Sequence, residues 1–513
     1  MSFDSVELAN DAASVVVRAG DSVGAAGPWR PVFCNDCTFP PDIFMGVMIN
    51  LIKNPNINSS WLFRADILFD GEGNERGAGS PSLPDDVPQF PCFSGFELGR
   101  CMVRKLIPRN TMRDKPLDQS CLIYEQTHFT CEDGHDDDGV ERSLVVYLPH
   151  VASEEEMPYY HPKVQGIAYL HEWNAAESRG SISISYLFYN DSDRSVVKLT
   201  RTALQLLKVI YKHGQGSLAG YQKRVQHDVL IPQARIQNTY AVLKQKYARR
   251  LIDSWAEVTD PEKHVFEDLS IAAFLIELWV DMYGTGPFPG FVDIGCGNGL
   301  LVWILNQEGY EGWGFDARER KSWASYNTIR PSLGPHSARS SLQQLVLLPS
   351  PVNRSDLSAL ASEDFSVELI HDGRFPKGTF IVSNHADELT AWTPILATIS
   401  ECPFIMIPCC SHDLTGSRFR APVPKDKTKA ESSYASLVDW VAQIARDCGW
   451  EVEQEMLRIP STRNTALLGR KRLSGGKCSV PDIEEIVHRY GGTTGYLENV
   501  AKLAKKPRSS KSK

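Results

Sequence analysis

The chain has 513 residues, 42% of them hydrophobic and 23% charged, enough for a sizeable core and more than one folding unit. Its formal net charge of −9 and sequence pI near 5.9 exclude a uniformly basic nucleic-acid-binding protein. The charge is nevertheless segregated, because residues 201–250 hold ten Lys or Arg against one acid and residues 470–513 hold eleven against four. Such local basic patches attract polyanions whatever the overall charge.

The cysteines and the apolar runs exclude further classes of protein. Twelve irregularly spaced cysteines do not suit a secreted disulfide scaffold, and the opening MSFDSVELAND lacks the features of a secretory signal, which predicts a reducing compartment. The longest apolar run, Ile271–Tyr283, is interrupted by two acids and is too short for a membrane span. Cys34 and Cys37 have the spacing of half a zinc site, but a lone pair is usually not one, so we predict no metal.

Residues 1–200 are predicted to form an N-terminal accessory domain, α/β or β-rich, with acidic loops such as Glu132–Asp138. Two β-prone segments between Gly166 and Leu187 flank a turn-like stretch, Asn174–Gly180. This pattern predicts an antiparallel strand pair.

Residues 201–258 are predicted to form a basic helical connector that is a candidate RNA-binding segment. Four apolar residues recur there at helical spacing, while the lysines lie mostly off that stripe: Leu204, Leu207, Ile210 and Tyr211. The spacing predicts an amphipathic helix with a basic face.

Residues 259–475 alternate between helices and strands. Asp260 is a candidate N-cap with Pro261 at the first helical position. The further elements are strand Phe291–Ile294, a helix from Leu300, strand Trp313–Asp316, helix Glu319–Ile329, strands Leu345–Leu348 and Thr379–Ser383, helix Asp387–Ile399, strand Phe404–Ile407, helix Tyr434–Cys448, and strands Val452–Leu457 and Ala466–Lys471. This order predicts an α/β fold with a mostly parallel, seven-stranded sheet. Residues 476–513 are predicted to be a short helix and a basic tail.

The sharpest motif is the apolar strand Phe291–Ile294, which runs through Asp293 into a turn with glycines at every second position. The turn, Gly295-Cys296-Gly297-Asn298-Gly299, opens a helix, and its missing Cβ atoms let the backbone approach a ligand closely. Asp316 ends the next strand, where a carboxylate can bind the two hydroxyls of a ribose.

A dinucleotide site shares this layout, but its glycine spacing is G-x-G-x-x-G, whereas this chain has G-x-G-x-G preceded by an acid. The arrangement resembles class I methyltransferases, whose cofactor has no pyrophosphate to bind. Asp293, Gly295, Gly297, Asn298 and Gly299 are therefore candidate cofactor-binding residues.

The chain also contains four longer blocks of characteristic sequence, residues 259–279, 291–323, 380–397 and 402–416. In this order they resemble one family, the fungal and animal tRNA (uracil-2′-O-)-methyltransferases that modify uridine in serine tRNA. The resemblance implies a class I, Rossmann-like methyltransferase domain over 259–475, S-adenosylmethionine as the cofactor, tRNA rather than DNA as the substrate, and a cytoplasmic location. It places Asp293, Gly295, Gly297 and Asn298 on the cofactor and Asp316 on its ribose.

Methyl transfer to a hydroxyl requires alignment of the oxygen and a group that takes its proton. Ligands in this fold bind beyond the carboxyl ends of the strands, which selects two segments, Ser383–Glu388 and Pro408–Asp413. The paired cysteines of the second segment are the residue type that most often packs in a core.

Four residues of these segments are candidate catalytic residues. Asp387 or His385 would take the proton, Asn384 would orient the cofactor or the ribose, and His412 is a further candidate. Asp387 has an equally good structural interpretation, as an N-cap or first-turn acid of the following helix.

The partner predicted from the charge pattern and the resemblance is tRNA, with phosphate contacts from residues 201–250 and from the basic tail Lys502–Lys513. Two alternatives stay open. One is a methyltransferase that acts on a protein or a small molecule, and the other is an inactive methyltransferase-like protein that binds RNA.

Overall fold

The computed structural model describes residues 3–8, 29–72, 90–111, 113–126, 139–221, 227–330, 339–352, 369–424, 432–473 and 482–504. The chain divides into two compact units, Met1–Lys223 and Arg224–Lys513. The segment 201–258, predicted as one connector, is thus shared between the units, because its first helix packs in the N-terminal unit and its second in the C-terminal unit. The acidic loop Glu132–Asp138 lies outside the described residues.

The N-terminal unit is built on one antiparallel sheet of eight strands in the order β1-β2-β8-β7-β6-β5-β4-β3. Two helices accompany it. The elements are β1 Val6–Glu7, β2 Arg30–Cys37, α1 Pro41–Lys53, β3 Leu62–Glu72, β4 Phe96–Pro108, β5 Leu117–Gln126, β6 Val140–Pro149, β7 Gly166–Asn174, β8 Arg179–Leu187 and α2 Val197–Leu218. The predicted strand pair is confirmed as β7 and β8, with Asn174 opposite Arg179.

The amphipathic helix predicted after Val197 is α2. Its apolar side joins α1 and one face of the sheet in a common core, to which Leu207 and Ile210 of α2, Met48 of α1 and Met102 of β4 contribute. This burial of apolar surface is what stabilises a helix with so many charged residues. The sheet is therefore covered by helices on this face.

The C-terminal unit contains a seven-stranded sheet with helices and two small two-stranded sheets. Its elements are α3 Gln233–Asp253, α4 Pro261–Tyr283, β9 Phe291–Ile294, α5 Leu300–Gln307, β10 Gly312–Asp316, α6 Trp323–Tyr326, β11 Ile329–Arg330, β12 Arg339–Ser340, β13 Leu342–Gln344, β14 Val346–Leu347, β15 Ile370–His371, β16 Phe380–Asn384, α7 Thr393–Ser400, β17 Phe404–Ile407, α8 Ser433–Asp447, β18 Trp450–Met456, β19 Thr465–Arg472, α9 Ile483–Arg489 and α10 Tyr496–Ala504.

The seven strands lie in the order β13-β10-β9-β16-β17-β19-β18, and the sheet is mixed. The first five strands are parallel to their neighbours, whereas β19 is antiparallel to both β17 and β18. A direct connection between β18 and β19 reverses the chain, which makes that pair antiparallel. The order places β9 and β16 side by side at the centre of the sheet.

Helix α4 begins as predicted, since the Asp260 carboxylate accepts hydrogen bonds from the backbone N–H groups of Glu262 and Lys263. Most of its buried residues are apolar and pack on the central strands. Two adjacent acids, Glu267 and Asp268, are buried in the same stretch.

Two of the elements predicted between β10 and β16 differ in the structure. The helix predicted over Glu319–Ile329 is only the four residues of α6, because Ile329 enters the small sheet of β11 and β12. The strand predicted at Leu345–Leu348 is β14, which pairs with β15 outside the main sheet, and β13 forms the edge of that sheet instead.

Candidate active site

The glycine turn after β9 has a backbone conformation that is unfavourable for residues with a Cβ atom. Gly295, Gly297 and Gly299 all have positive φ, at 74°, 52° and 76°. A Cβ on Gly299 would stand 2.5 Å from a methyl carbon of Leu342, and one on Gly295 would stand 3.1 Å from the Cβ of Ala386. The turn therefore needs glycine for its conformation and for close packing.

Asp316 ties this turn to the end of β10. Its Oδ2 accepts the N–H of Gly297 at 3.0 Å, and its Oδ1 accepts the N–H of Arg318 at 3.1 Å. A carboxylate has about four acceptor positions, so these bonds leave room for a ribose diol. Asn298 is occupied differently, since its Oδ1 accepts the N–H of Leu300 at the start of α5.

Asp293 lies beneath the turn with only 1% of its surface exposed, and its Oδ1 has no hydrogen-bond partner among the described residues. Burial raises its pKa well above the ordinary value, and the nearby carboxyl groups of Asp268 and Asp316 add to the effect. A buried carboxyl group with one oxygen left unpaired is expected where a cationic ligand binds.

Asp268 of α4 stands next to Asp293, and the sequence analysis missed it. Burial, with a contribution from Glu267, raises its pKa to about 8. The Asn384 amide nitrogen donates to its Oδ1 at 3.5 Å. The available signal was a pair of adjacent acids in a helix stretch that is otherwise apolar, which is unusual unless the acids are paired or functional.

His385 is held by the other acid of that pair. Its Nε2 lies 3.0 Å from Oε1 of Glu267, while its Nδ1 has no partner among the described residues. The side chain of His385 is 24% exposed, that of Glu267 only 9%. When a carboxylate accepts a hydrogen bond from the N–H of one ring nitrogen, the other ring nitrogen is left free to accept a proton, which is the geometry of an oriented base.

Asp387 is exposed and has a positive φ of 43°, so the predicted helix Asp387–Ile399 does not form as one element. A short 3-10 turn, Asp387–Leu389, precedes α7, which begins at Thr393, and neither has a side-chain N-cap. The Asp387 carboxylate instead accepts a hydrogen bond from the Cys409 thiol at 3.1 Å.

The side chains of Asp387, Cys409 and Cys410 bring three possible metal ligands within 4.8 Å of one another. Burial raises the pKa of the Cys409 thiol, and the hydrogen bond to Asp387 raises it further. The Cys409 thiol therefore stays protonated in the free protein, whereas metals bind the deprotonated thiolate.

His412 and Asp413 follow β17 but do not line the cavity described next. His412 is buried, and it pairs with Arg418 across a loop. Oδ1 of Asp413 accepts the N–H groups of Thr415 and Ser417, so this carboxylate holds the loop together.

A cavity of about 450 Å³ lies at the carboxyl ends of the central strands. Among its lining residues are Gly295, Gly297, Asp316, His385 and Asp387, which come from three separate motifs.

The C-terminal helix α10 also lines this cavity, which the sequence analysis did not predict. Tyr496 donates to the carbonyl of Leu347 at 2.8 Å, and the Asn499 amide donates to the carbonyl of Thr415 at 2.9 Å. These bonds place α10 beside the site.

The site combines a strand, a glycine turn and a helix with one acid beneath the turn and another at the end of the next strand. This combination defines the class of S-adenosylmethionine-dependent methyltransferases. A family model described as "Predicted AdoMet-dependent methyltransferase" matches residues 230–333. A second model, "TRM44-like, N-terminal bet v1-like domain", matches residues 7–224.

The chain belongs to the tRNA (uracil-O(2)-)-methyltransferase family, which confirms the resemblance found in its sequence. A protein of that name from Neurospora crassa is 64% identical over 505 residues, covering 98% of both chains. Those from Schizosaccharomyces pombe and Saccharomyces cerevisiae are 38% and 35% identical, covering 93% and 94% of this chain and 92% and 94% of their own.

Among solved structures, the chain titled "Crystal structure of Ara h 8.0201" matches 37% of this chain and 95% of its own length, with 10% identity and a TM-score of 0.21. Within the described residues, no helix combines the length and the apolar character that crossing a bilayer requires.

The raised pKa of Asp268 predicts a pH-dependent stability. Between the ordinary value of 3.8 and about 8, the folded state keeps a proton that the unfolded chain has lost, so the free energy of unfolding falls as pH rises through this window. Asp268→Asn removes this loss. Its melting temperature should exceed that of the wild type by a margin that grows by several degrees between roughly pH 5 and pH 8. The matching change in the free energy of unfolding is at most about 1.4 kcal/mol per pH unit. Calorimetry without cofactor measures the difference, and an equal gain at both pH values would contradict the assignment.

Proposed function

We propose that this protein transfers a methyl group from S-adenosylmethionine to the ribose 2′-hydroxyl of a uridine in cytoplasmic tRNA, with serine tRNA as the substrate. The observation that carries the proposal is that His385, paired with Glu267, lines the same cavity as Gly295, Gly297 and Asp316. The names of the relatives support a tRNA substrate modified at uracil nucleotides. The choice of serine tRNA follows from the family resemblance.

The residues present fit the cofactor. S-adenosylmethionine carries an ammonium and a sulfonium cation, and Asp293 and Asp268 offer two buried carboxyl groups with no cationic partner among the described residues. The glycine turn allows close approach to the backbone, and Asp316 can accept the ribose hydroxyls. We therefore assign the cofactor to Asp293, Gly295, Gly297, Asn298, Gly299, Asp316 and, in addition, Asp268.

His385 is the proposed base. When bound, the cofactor supplies a methyl group that its sulfonium has already activated, so the protein mainly has to orient the hydroxyl and accept its proton. The proton passes to the imidazole of His385, and Glu267 stabilises the cation that forms. Asn384, bonded to Asp268, positions the neighbouring acids, while Asp387 and His412 are the secondary candidates.

The RNA contacts proposed for residues 201–250 are available on both helices. Arg201, Lys208 and Lys212 of α2 are exposed, as are Lys244, Arg249 and Arg250 of α3. Two other basic residues of α3 are paired with acids, Arg235 with Glu277 at 2.9 Å and Lys246 with Glu308 at 2.7 Å. The phosphate contacts are therefore assigned to the exposed basic residues of both helices, together with the basic tail, of which residues 505–513 lie outside the described part of the chain.

The test is transfer of labelled methyl groups to purified tRNAs, followed by nuclease digestion and mass spectrometry of the labelled nucleoside. We expect 2′-O-methyluridine in serine tRNA and no label in a tRNA of another specificity. Label on the uracil ring would contradict the proposed hydroxyl chemistry. Label on protein alone would contradict the RNA substrate.

A further inference from the structure

A second and larger cavity, of about 700 Å³, lies within the N-terminal unit between the sheet and the start of α2. Its volume falls in the range of small-molecule sites, which are roughly 300–1,000 Å³. It is lined by residues of β4, β5, β6 and β7, by α2, and by the segment that precedes β7. None of the cofactor or base candidates belongs to it.

The interior of this cavity holds a fixed polar network. Buried Arg104 donates through Nη1 to the carbonyl of Ile52 at 2.7 Å and through Nη2 to the amide oxygen of Gln119 at 2.6 Å. The Gln119 amide nitrogen lies 2.9 Å from Nε2 of His161. Burial lowers the pKa of His161 to about 4, so the ring is neutral and accepts that bond. The network is rigid and already satisfied.

Two residues that line the cavity carry buried polar atoms with no hydrogen-bond partner among the described residues, the hydroxyl of Tyr147 and Oδ1 of Asn58. Tyr147 is only 3% exposed. A buried polar group left unpaired costs roughly 1–3 kcal/mol, so such groups are expected where a ligand supplies the partner. The cavity thus offers a ligand one free hydroxyl and one free amide oxygen.

Two aromatic side chains stand at the mouth of the cavity. Trp61 is 44% exposed and Tyr159 is 60% exposed, and their ring centroids are 5.5 Å apart, edge to face. The Nζ of Lys198 lies 3.9 Å from the Tyr159 ring centroid, and Arg113 lies over Trp61. Exposed aromatic rings beside cations are the surface on which unpaired nucleobases stack.

A basic stripe continues from the mouth along α2. At about 100° per residue, Lys198, Arg201, Lys208 and Lys212 fall within an arc of roughly 80° on the helix, and all four are exposed. The two acids in the cavity lining are already engaged, because Glu154 pairs with Lys163 at 3.2 Å and Asp193 accepts the Asn190 N–H at 3.0 Å. The stripe therefore keeps its charge for phosphates.

We propose that this cavity receives an unpaired nucleobase of the RNA substrate, which stacks against the aromatic pair of Trp61 and Tyr159 and hydrogen-bonds to the Tyr147 hydroxyl, while the adjoining phosphates lie along the basic stripe. The proposal rests on the RNA substrate proposed above and adds a second contact, on the N-terminal unit. Such a site would select RNA with a looped or bulged nucleotide, since only an unstacked base can enter.

The full-length protein tests this by fluorescence anisotropy with labelled tRNA and with a short single-stranded oligouridine. Trp61→Ala and Tyr159→Ala should each raise Kd about 5- to 150-fold, because stacking contributes roughly 1–3 kcal/mol per base, whereas Tyr159→Phe should stay near wild type. Arg201→Ala should reduce the salt dependence of binding by about one counterion.

The matched control is Arg179→Ala. Arg179 is exposed and basic but lies opposite Asn174, at the far end of β7 from the cavity residue Ile167, roughly 23 Å away at 3.3 Å per residue. Arg179→Ala should bind RNA as the wild type does.

Tyr147→Phe removes the hydroxyl and keeps the ring. This variant should weaken oligouridine binding without lowering the melting temperature.

Three outcomes would overturn the proposal. Wild-type Kd values for Trp61→Ala and Tyr159→Ala, with tRNA methylation intact, would remove the cavity from RNA binding and leave the proposed function standing. An apolar dye that stays bound in the cavity when RNA saturates the protein would identify it as a site for apolar small molecules. A wild-type protein that binds no tRNA would overturn both proposals together.

Discussion

Replacing His385 with asparagine should lower kcat for tRNA methylation about 10²- to 10⁴-fold, the usual contribution of a positioned base. Asparagine cannot accept the hydroxyl proton at neutral pH, whereas the imidazole, oriented by Glu267 at 3.0 Å, can. Because asparagine leaves the cofactor carboxylates in place, the Kd for S-adenosylmethionine should change little. Single-turnover methylation and calorimetric cofactor binding measure the two quantities separately.

Variants at three other positions show whether the loss of rate is specific to His385. Glu267→Gln keeps a hydrogen-bonding side chain but removes the charge that stabilises the imidazolium, so its loss of rate should be smaller than that of His385→Asn. His488→Asn changes an exposed histidine of α9 in the same unit and should leave the rate unchanged. If Asp387→Asn abolished activity while His385→Asn retained it, the base would be Asp387.

Replacing Asp293 with asparagine should raise the Kd for S-adenosylmethionine roughly 10- to 100-fold, because a hydrogen bond to a charged group contributes about 1.5–3 kcal/mol. Burial and the nearby acids raise the pKa of Asp293, which favours its neutral form, and asparagine closely matches that form in shape. The variant should therefore fold as the wild type does, and calorimetric titration measures the lost affinity.

S-adenosylhomocysteine refines this second experiment, since it keeps the ammonium group of the cofactor and lacks the sulfonium. An equal loss of affinity for both ligands assigns Asp293 to the amino-acid end, and a loss confined to S-adenosylmethionine assigns it to the sulfonium. Asp253→Asn, an exposed acid at the end of α3, is the control. Unchanged affinity for both ligands in Asp293→Asn would remove Asp293 from the cofactor site.

The helices and strands were predictable where residues close together in the sequence determine them. The cap at Asp260, the strand Phe291–Ile294 and the β7–β8 pair depend on neighbouring residues and formed as expected. The helices predicted over Glu319–Ile329 and Asp387–Ile399 did not form in full. In the first, Ile329 pairs with Ser340, eleven positions further along the chain, and in the second, positive φ at Asp387 interrupts the helix.

By itself the sequence determined the family, the glycine turn and the candidate residues at the strand ends, because Asp293, the glycines, Asp316 and His385 each stand in a local motif. Only the tertiary structure decided which partners these residues have. Glu267 and Asp268 reach His385 and Asn384 from a helix more than a hundred residues earlier in the chain, and α10 reaches the cavity from near the C-terminus. Contacts of that separation depend on how the elements pack, and no local spacing encodes them.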